Sequence, residues 1–202
     1  MSELQRLRRA GGGALKLLVE LLPEEWDPRS GYEDVCLIFA DVAGYSDFVA
    51  TEGDDAALSV LAALEMHVQR ALHGRRGARV VKRLGDGLMI VTRHNADAVD
   101  AAVALVGGFD AHARSAGWPL ELRAGLHRGT TRRQGDDYLG YHVNLAARVA
   151  DAARGRHVLA TANVLAGVDL ASLEATASPA GELDAKGVTG PVDLFAVERL
   201  AA

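Results

Sequence analysis

The stretch "ARVVKRLGDGLMIVT", residues 78–92, decides how the rest of the chain is read. Two β-branched, apolar segments flank a Gly-Asp-Gly tip, which is the pattern of a strand, a tight turn and a second strand. A tip made only to turn needs glycine and any polar residue. Here Lys82 and Arg83 precede the tip and Asp86 occupies it, so the hairpin carries charges that turning alone does not require. Upstream, "VCLIFADV" (35–42) is a strand-length apolar run, and residues 55–72 place Leu58, Leu61, Leu64, Val68 and Leu72 on one helical stripe. Downstream, a second helix is expected with Val99, Ala102, Val103, Val106 and Phe109 at core spacing. "PLELRAGLHRGTT" (119–131) alternates like a half-buried strand, and "YHVNLAARVADAAR" (141–154) reads as a helix. "HVLAT", a short helix and two late strands around "ELDAKGV" and "PVDLFAV" close the chain. Strands and helices mixed in this way predict an α+β fold: a mostly antiparallel sheet covered by helices.

The 202 residues suffice for one good-sized domain with a short appendage. Residues 1–30 read as a separate helical extension and linker, and 31–202 as the domain. The apolar stretch "ALKLLVELL" (14–22) is interrupted by Lys16 and Glu20 and is too short to span a bilayer, so a soluble, cytoplasmic protein without membrane contact is expected. At a net charge of −5 nothing global points to nucleic acid, and any polyanion must be met by local positive charge. Cys36 is the single cysteine, which excludes an intrachain disulfide and fits a reducing compartment.

Two clusters carry chemistry. Asp41 ends a buried strand, with Gly44 close behind, and Asp86 sits at the hairpin tip between glycines. Each alone serves as a cap or turn former. On adjacent strands they would reach one sheet edge, where one or two carboxylates plus substrate phosphates are a typical Mg²⁺ setting. The second cluster lies in "DDYLGYHVNLAARV" (136–149), where Asn144 and Arg148 are one helical turn apart on a polar face. Ala146 and Ala147 are expected to leave room around Arg148, whose guanidinium fork suits phosphate oxygens, while Asn144 can orient a sugar or water. A solvated helix face is the plainer account of the same spacing. Lys82 and Asp137 offer one donor and one acceptor for a base edge, and Lys186 in "AKGVTG" offers a positive charge for a terminal phosphate. The "TTRRQGD" segment (130–136) reads as a short loop in which Arg132 and Arg133 reach a triphosphate or stay solvated.

Four segments in order, "FADVAGYS", "VKRLGDGLMI", "LRAGLHRGT" with "DDYLGYHVNLAARV", and "AKGVTGPVDLFAV", resemble the catalytic domain of class III nucleotidyl cyclases over roughly residues 34–198. The resemblance implies a ferredoxin-like βαββαβ core and a head-to-tail homodimer. It also implies Asp41 and Asp86 as ligands of two divalent cations, Mg²⁺ or Mn²⁺. Lys82 and Asp137 would then recognise adenine, Asn144 the ribose, Arg148 the α-phosphate and Lys186 the distal phosphates. The implied reaction converts ATP to cyclic AMP and pyrophosphate, with each site taking its aspartates from one chain and the Lys, Asp, Asn and Arg set from the other. A cyclase of GTP, CTP or UTP, and a catalytically silent nucleotide-binding module, are the alternatives. The "GDG" tip lacks the Gly-Gly-Asp/Glu-Glu-Phe signature of diguanylate cyclases.

Overall fold

β1 (Tyr32–Ala43) is the axis of the sheet. Its neighbours are set by the hairpin of β2 (Arg79–Leu84) and β3 (Gly87–Thr92), whose second strand pairs antiparallel with β1. The computed structural model describes residues 31–75, 77–154, 157–184 and 190–200. The N-terminal helix expected in residues 14–22, and Lys186, lie outside the described residues. The other strands are β4 (Glu121–Gln134), β5 (Asp137–Leu139), β6 (Val158–Thr161), β7 (Ala175–Leu183) and β8 (Val192–Arg199). They form one sheet in the order β2-β3-β1-β4-β6-β8-β7, with β5 folded back on β4. The pairing of β4 with β6 is parallel, while the hairpins and the β1–β3 and β6–β8 pairs are antiparallel.

Helices α1 (Tyr45–Glu52) and α2 (Asp54–Leu72) connect β1 to β2, and α3 (Asn95–Ala116) connects β3 to β4. With the spatial order β2-β3-β1-β4 this is the βαββαβ core, extended by α4 (Tyr141–Ala152), α5 (Ala162–Leu165) and the last three strands. One face of the sheet, formed by Ile38, Ala40, Leu88, Ile90, Leu122, Ala124 and Leu126, packs with Val60, Leu64, Val99 and Phe109 of α2 and α3. The opposite face, through Leu37, Met89 and Tyr138, takes Val143 and Ala146 of α4. Because both faces are covered, all six residues of β3 are buried, and this strand of the hairpin reads in sequence as a mostly apolar run.

α4 has twelve residues, too few to hold a helix in isolation. Packing supplies its stability: Val143, Leu145 and Val149 are buried, each contributing roughly 1.5–3 kcal/mol if fully removed from water. The approach to β4 is close enough that a Cβ on Gly125 would lie 2.0 Å from the backbone nitrogen of Ala150.

Several expectations are corrected here. The buried face of α2 runs through Ala57, Val60, Ala63, Leu64, His67, Val68 and Ala71, and Leu58 is 64 % exposed. The stripe is rotated because α2 meets α3 through small residues: His67 sits where Gly108 has no side chain, its ring atom 2.7 Å from where a Cβ would be. The 130–136 segment is not a loop but the end of β4 turning into β5, with Arg132, Arg133 and Gln134 facing Leu139, Tyr138 and Asp137. Arg133 there pairs with Glu33 at 3.1 Å. The strand expected around "ELDAKGV" begins earlier, at Ala175. Pro179 interrupts its pattern and is tolerated because β7 is an edge strand with an irregularity between Pro179 and Gly181.

Candidate active site

Asp41 is the last polar position on the α4-facing side of β1, and its pairing partner on β3 is Gly87. Asp86 precedes Gly87 at the hairpin tip, so the two strands deliver both carboxylates to one end of the sheet. A cavity of about 450 Å³ opens there, lined by Asp41, Val42, Ala43, Gly44, Tyr45, Ser46, Asp47, Asp86 and Arg123. Glycine is needed beside the aspartates: a Cβ on Gly87 would lie 3.2 Å from both the Ala40 carbonyl oxygen and Asp41 Oδ1. Gly44, at φ 82°, turns the chain out of β1 into α1 and leaves the first turn of α1 lining the cavity.

Burial, and next the charge of Asp41, push the Asp86 carboxyl above its ordinary pKa. Two carboxylates facing one space in this way favour a proton or a cation between them. Arg123, on the same side of β4, donates from Nε and Nη2 to Asp41 Oδ2 at 3.2 and 2.7 Å. Both donors use one oxygen, so Asp41 Oδ1 remains the atom directed toward Gly87. The sequence reading missed Arg123. The available signal was that Arg123, Gly125, His127 and Gly129 alternate on one strand face, with two glycines where a helix passes close.

The other predicted residues fall elsewhere. Lys82 on β2 donates to Asp137 Oδ2 on β5 at 2.9 Å, and this hydrogen bond chiefly holds the Asp137 carboxyl below its usual pKa. Asn144 and Arg148 are exposed on α4. Arg148 makes a 3.1 Å surface pair with Asp151, whose carbonyl accepts from Arg123 Nη1 at 3.5 Å. Ala146 does not open space around Arg148, because its side chain is fully buried against the sheet. Ala147 is half-buried. None of Lys82, Asp137, Asn144 and Arg148 lines the aspartate cavity. A single chain therefore separates the residues into two sets, one acidic with Arg123 and one that combines the Lys–Asp pair with the helix face of Asn144 and Arg148.

A sequence model of the adenylate and guanylate cyclase catalytic domain matches residues 28–198. The chain belongs to that family and is a nucleotidyl cyclase catalytic domain. Its core superimposes on the adenylyl cyclase CyaB of P. aeruginosa with a TM-score of 0.69 at 21 % identity, covering 82 % of this chain and 94 % of that one. The guanylate cyclase domain of RhGC from Catenaria anguillulae, a complex with GTP, gives 0.66 at 18 %, covering 84 % and 98 %. An uncharacterized protein of Mycobacterium tuberculosis is 34 % identical over 126 residues, which is 62 % of this chain. The match spans only 32 % of that relative's own length. Among the described residues no helix is long and apolar enough to cross a membrane.

Proposed function

We propose that the chain is a cytoplasmic adenylate cyclase, forming cyclic AMP and pyrophosphate from ATP at sites shared between two copies of itself. One observation carries this reading: the two sets of residues are each chemically coherent, yet within one chain only the acidic set and Arg123 line the cavity. A two-fold pairing of identical chains brings each set to the other's partner and creates two equivalent sites.

The paired carboxylates and the small residues around them fit divalent cations. Asp41 and Asp86 would hold Mg²⁺ or Mn²⁺, which supplies acidity at the ribose 3′-hydroxyl and neutralises phosphate charge. The chain's own residues do the rest. Arg123 has N–H groups beyond those on Asp41, which suit a polyphosphate, and the first turn of α1 lines the same cavity. Lys82 and Asp137 present a donor beside an acceptor, which complements the N1 acceptor and N6 donor of adenine; guanine has the opposite order. Asn144 would orient the ribose, Lys186 would meet the distal phosphates, and Arg148 would meet charge that grows on the α-phosphate as its bond to the leaving oxygen breaks. The 3′-hydroxyl releases its proton to solvent as its oxygen bonds to the α-phosphorus, and pyrophosphate leaves with the electron pair of the broken P–O bond.

The test is to incubate the pure protein with each of ATP, GTP, CTP and UTP with Mg²⁺ or Mn²⁺, and to identify products by mass. Cyclic AMP formed faster than any other product is the expected result. A different cyclic nucleotide would overturn the base assignment, and binding without pyrophosphate release would favour a silent nucleotide-binding module.

A further inference from the structure

A buried polar chain runs beneath α4 and touches none of the residues assigned so far. His127 lies on the α4-facing side of β4 and is only 5 % exposed. Its Nδ1 is 2.9 Å from Thr161 Oγ1, and its Nε2 is 2.8 Å from Nδ1 of His142 in the first turn of α4. Thr161 Oγ1 is bonded to Asn163 Oδ1, and Asn163 Nδ2 to the Arg128 carbonyl oxygen.

One acceptor orders every hydrogen in this chain. The Arg128 carbonyl can only accept, so the Asn163 atom facing it is the NH₂ group. Asn163 Oδ1 then faces Thr161 and takes the hydroxyl hydrogen. The Thr161 oxygen, having given its hydrogen away, accepts from His127 Nδ1–H. A neutral imidazole has a single N–H, so His127 Nε2 is bare and accepts from His142 Nδ1–H. Burial, with the neighbouring His142, holds the His127 pKa down to about 4, in keeping with a ring that has no room for a second proton. The fit around His142 is equally tight. A Cβ on Gly129 would lie 2.3 Å from its Cγ, and Tyr141 meets the ring edge-on at 5.2 Å between centroids.

We infer that His142 is a positioning residue: its Nδ1–H, received by His127, fixes the first turn of α4 on the sheet and thereby places Asn144 and Arg148. At its other end the helix is located by the Ala150 backbone against Gly125. Two attachments, one at each end, leave a twelve-residue helix little freedom to slide or rotate. This role rests on the proposed catalysis by Arg148, and the experiment separates the two.

Imidazole ¹⁵N spectra at pH 7, with His127→Asn and His142→Asn spectra for assignment, should show both rings as the Nδ1–H tautomer. An Nε2–H form of His142 would overturn the chain whatever the activity. In turnover assays, His142→Leu removes the donor, whereas His142→Asn keeps an N–H at the same distance from the backbone. The Leu variant should lose roughly 10- to 100-fold in kcat, with KM little changed because Lys82 and Asp137 lie on other elements. The Asn variant should recover most of that loss, and His142→Leu should cost clearly less in an Arg148→Ala background, where only its effect through Asn144 remains. Equal losses in the Leu and Asn variants, or losses that multiply with Arg148→Ala, would overturn the positioning role. Full kcat in Arg148→Ala alone would instead overturn the parent reading. If His142→Leu does not fold, the tautomers and the Asn variant decide.

Discussion

At the scale of single residues, Asp86 is a carboxylate that the fold makes harder to ionise. Its carboxyl is raised by burial and by Asp41, so at neutral pH the folded state bears repulsion that the unfolded chain does not. For a raised carboxyl the sign is that folding gains as pH falls through that pKa and loses above it. Asp86→Asn should therefore raise the melting temperature by a few degrees at pH 7 while abolishing turnover, a trade common at functional positions. Millimolar Mn²⁺ should raise the melting temperature of the unaltered protein and leave the variant unmoved; an equal rise in both would contradict the metal assignment. Gly87→Ala tests the neighbouring geometry. The added methyl meets a strand carbonyl that cannot yield and an Asp41 oxygen that must, which should cost about 1–3 kcal/mol of stability and at least tenfold in kcat. His127 has the opposite sign from Asp86. Its folded pKa of about 4 lies below the ordinary value of 6.5, so its contribution is intact above pH 6.5 and lost as pH falls toward 4. Chemical denaturation at pH 7 and pH 4.5 should differ by on the order of 2–3 kcal/mol through this ring, and His127→Gln should shrink the difference. Asp41 and Asp86 stood out because each is a carboxylate at a strand end with glycine nearby, Gly44 after the first and Gly85 and Gly87 around the second. Arg123 did not, since an arginine at an alternating position reads as solvent-facing until a helix is known to cover that face.

At the scale of elements, the contact of α4 with β4 determines where the helix carrying Asn144 and Arg148 sits. Gly125 and Gly129 lie on the same strand face but meet different things. A methyl at Gly125 would run into the backbone of Val149 and Ala150, which can move only if the whole helix lifts. At Gly129 it would meet the His142 ring, which can rotate away. Gly125→Ala should thus cost about 3 kcal/mol or more in denaturant unfolding. Gly129→Ala should cost less stability and act mainly on kcat, by breaking the His127–His142 bond. Equal destabilisation by the two would mean that the ring is as immovable as the helix. Element types were largely readable from periodicity: β1, the β2–β3 hairpin, α3 and α4 lie where the apolar spacing predicted. The failures have two causes. The α2 stripe was misplaced because leucines were weighted over the alanines that pack closely on α3. The β4–β5 turn and β7 were misread because Arg, Gln, Pro and Gly are poor strand signals, whereas an exposed hairpin and an edge strand accept them.

At the scale of the whole molecule, each chain carries two sets of candidate residues, and only one of them lines the cavity. The Asp41–Asp86–Arg123 cavity ends one side of the sheet, while the Lys82–Asp137 pair and the exposed face of α4 lie outside it. Spacing alone left both sets open to plainer readings as caps, turns and a solvated helix face, and only the order of four segments along the chain singled them out. Whether one chain closes a site by itself depends on long-range placement that no local pattern encodes. If two chains complete each other, inactivating substitutions in different halves must complement. Asp41→Asn disables both cavities of its homodimer, and Arg148→Ala disables both helix faces of the other. A mixed dimer holds one site with both defects and one with neither. Random reassortment of equal amounts makes half of all dimers mixed, each with one of two sites intact. The mixture should therefore recover about one quarter of the unaltered specific activity, by the closed two-fold symmetry of the pair. Recovery should rise with protein concentration as dimers form, and it should vanish when both substitutions are placed in the same chain. Two inactive variants that stay inactive on mixing, in samples shown by sedimentation to contain heterodimers, would mean that each chain turns over nucleotide alone or not at all.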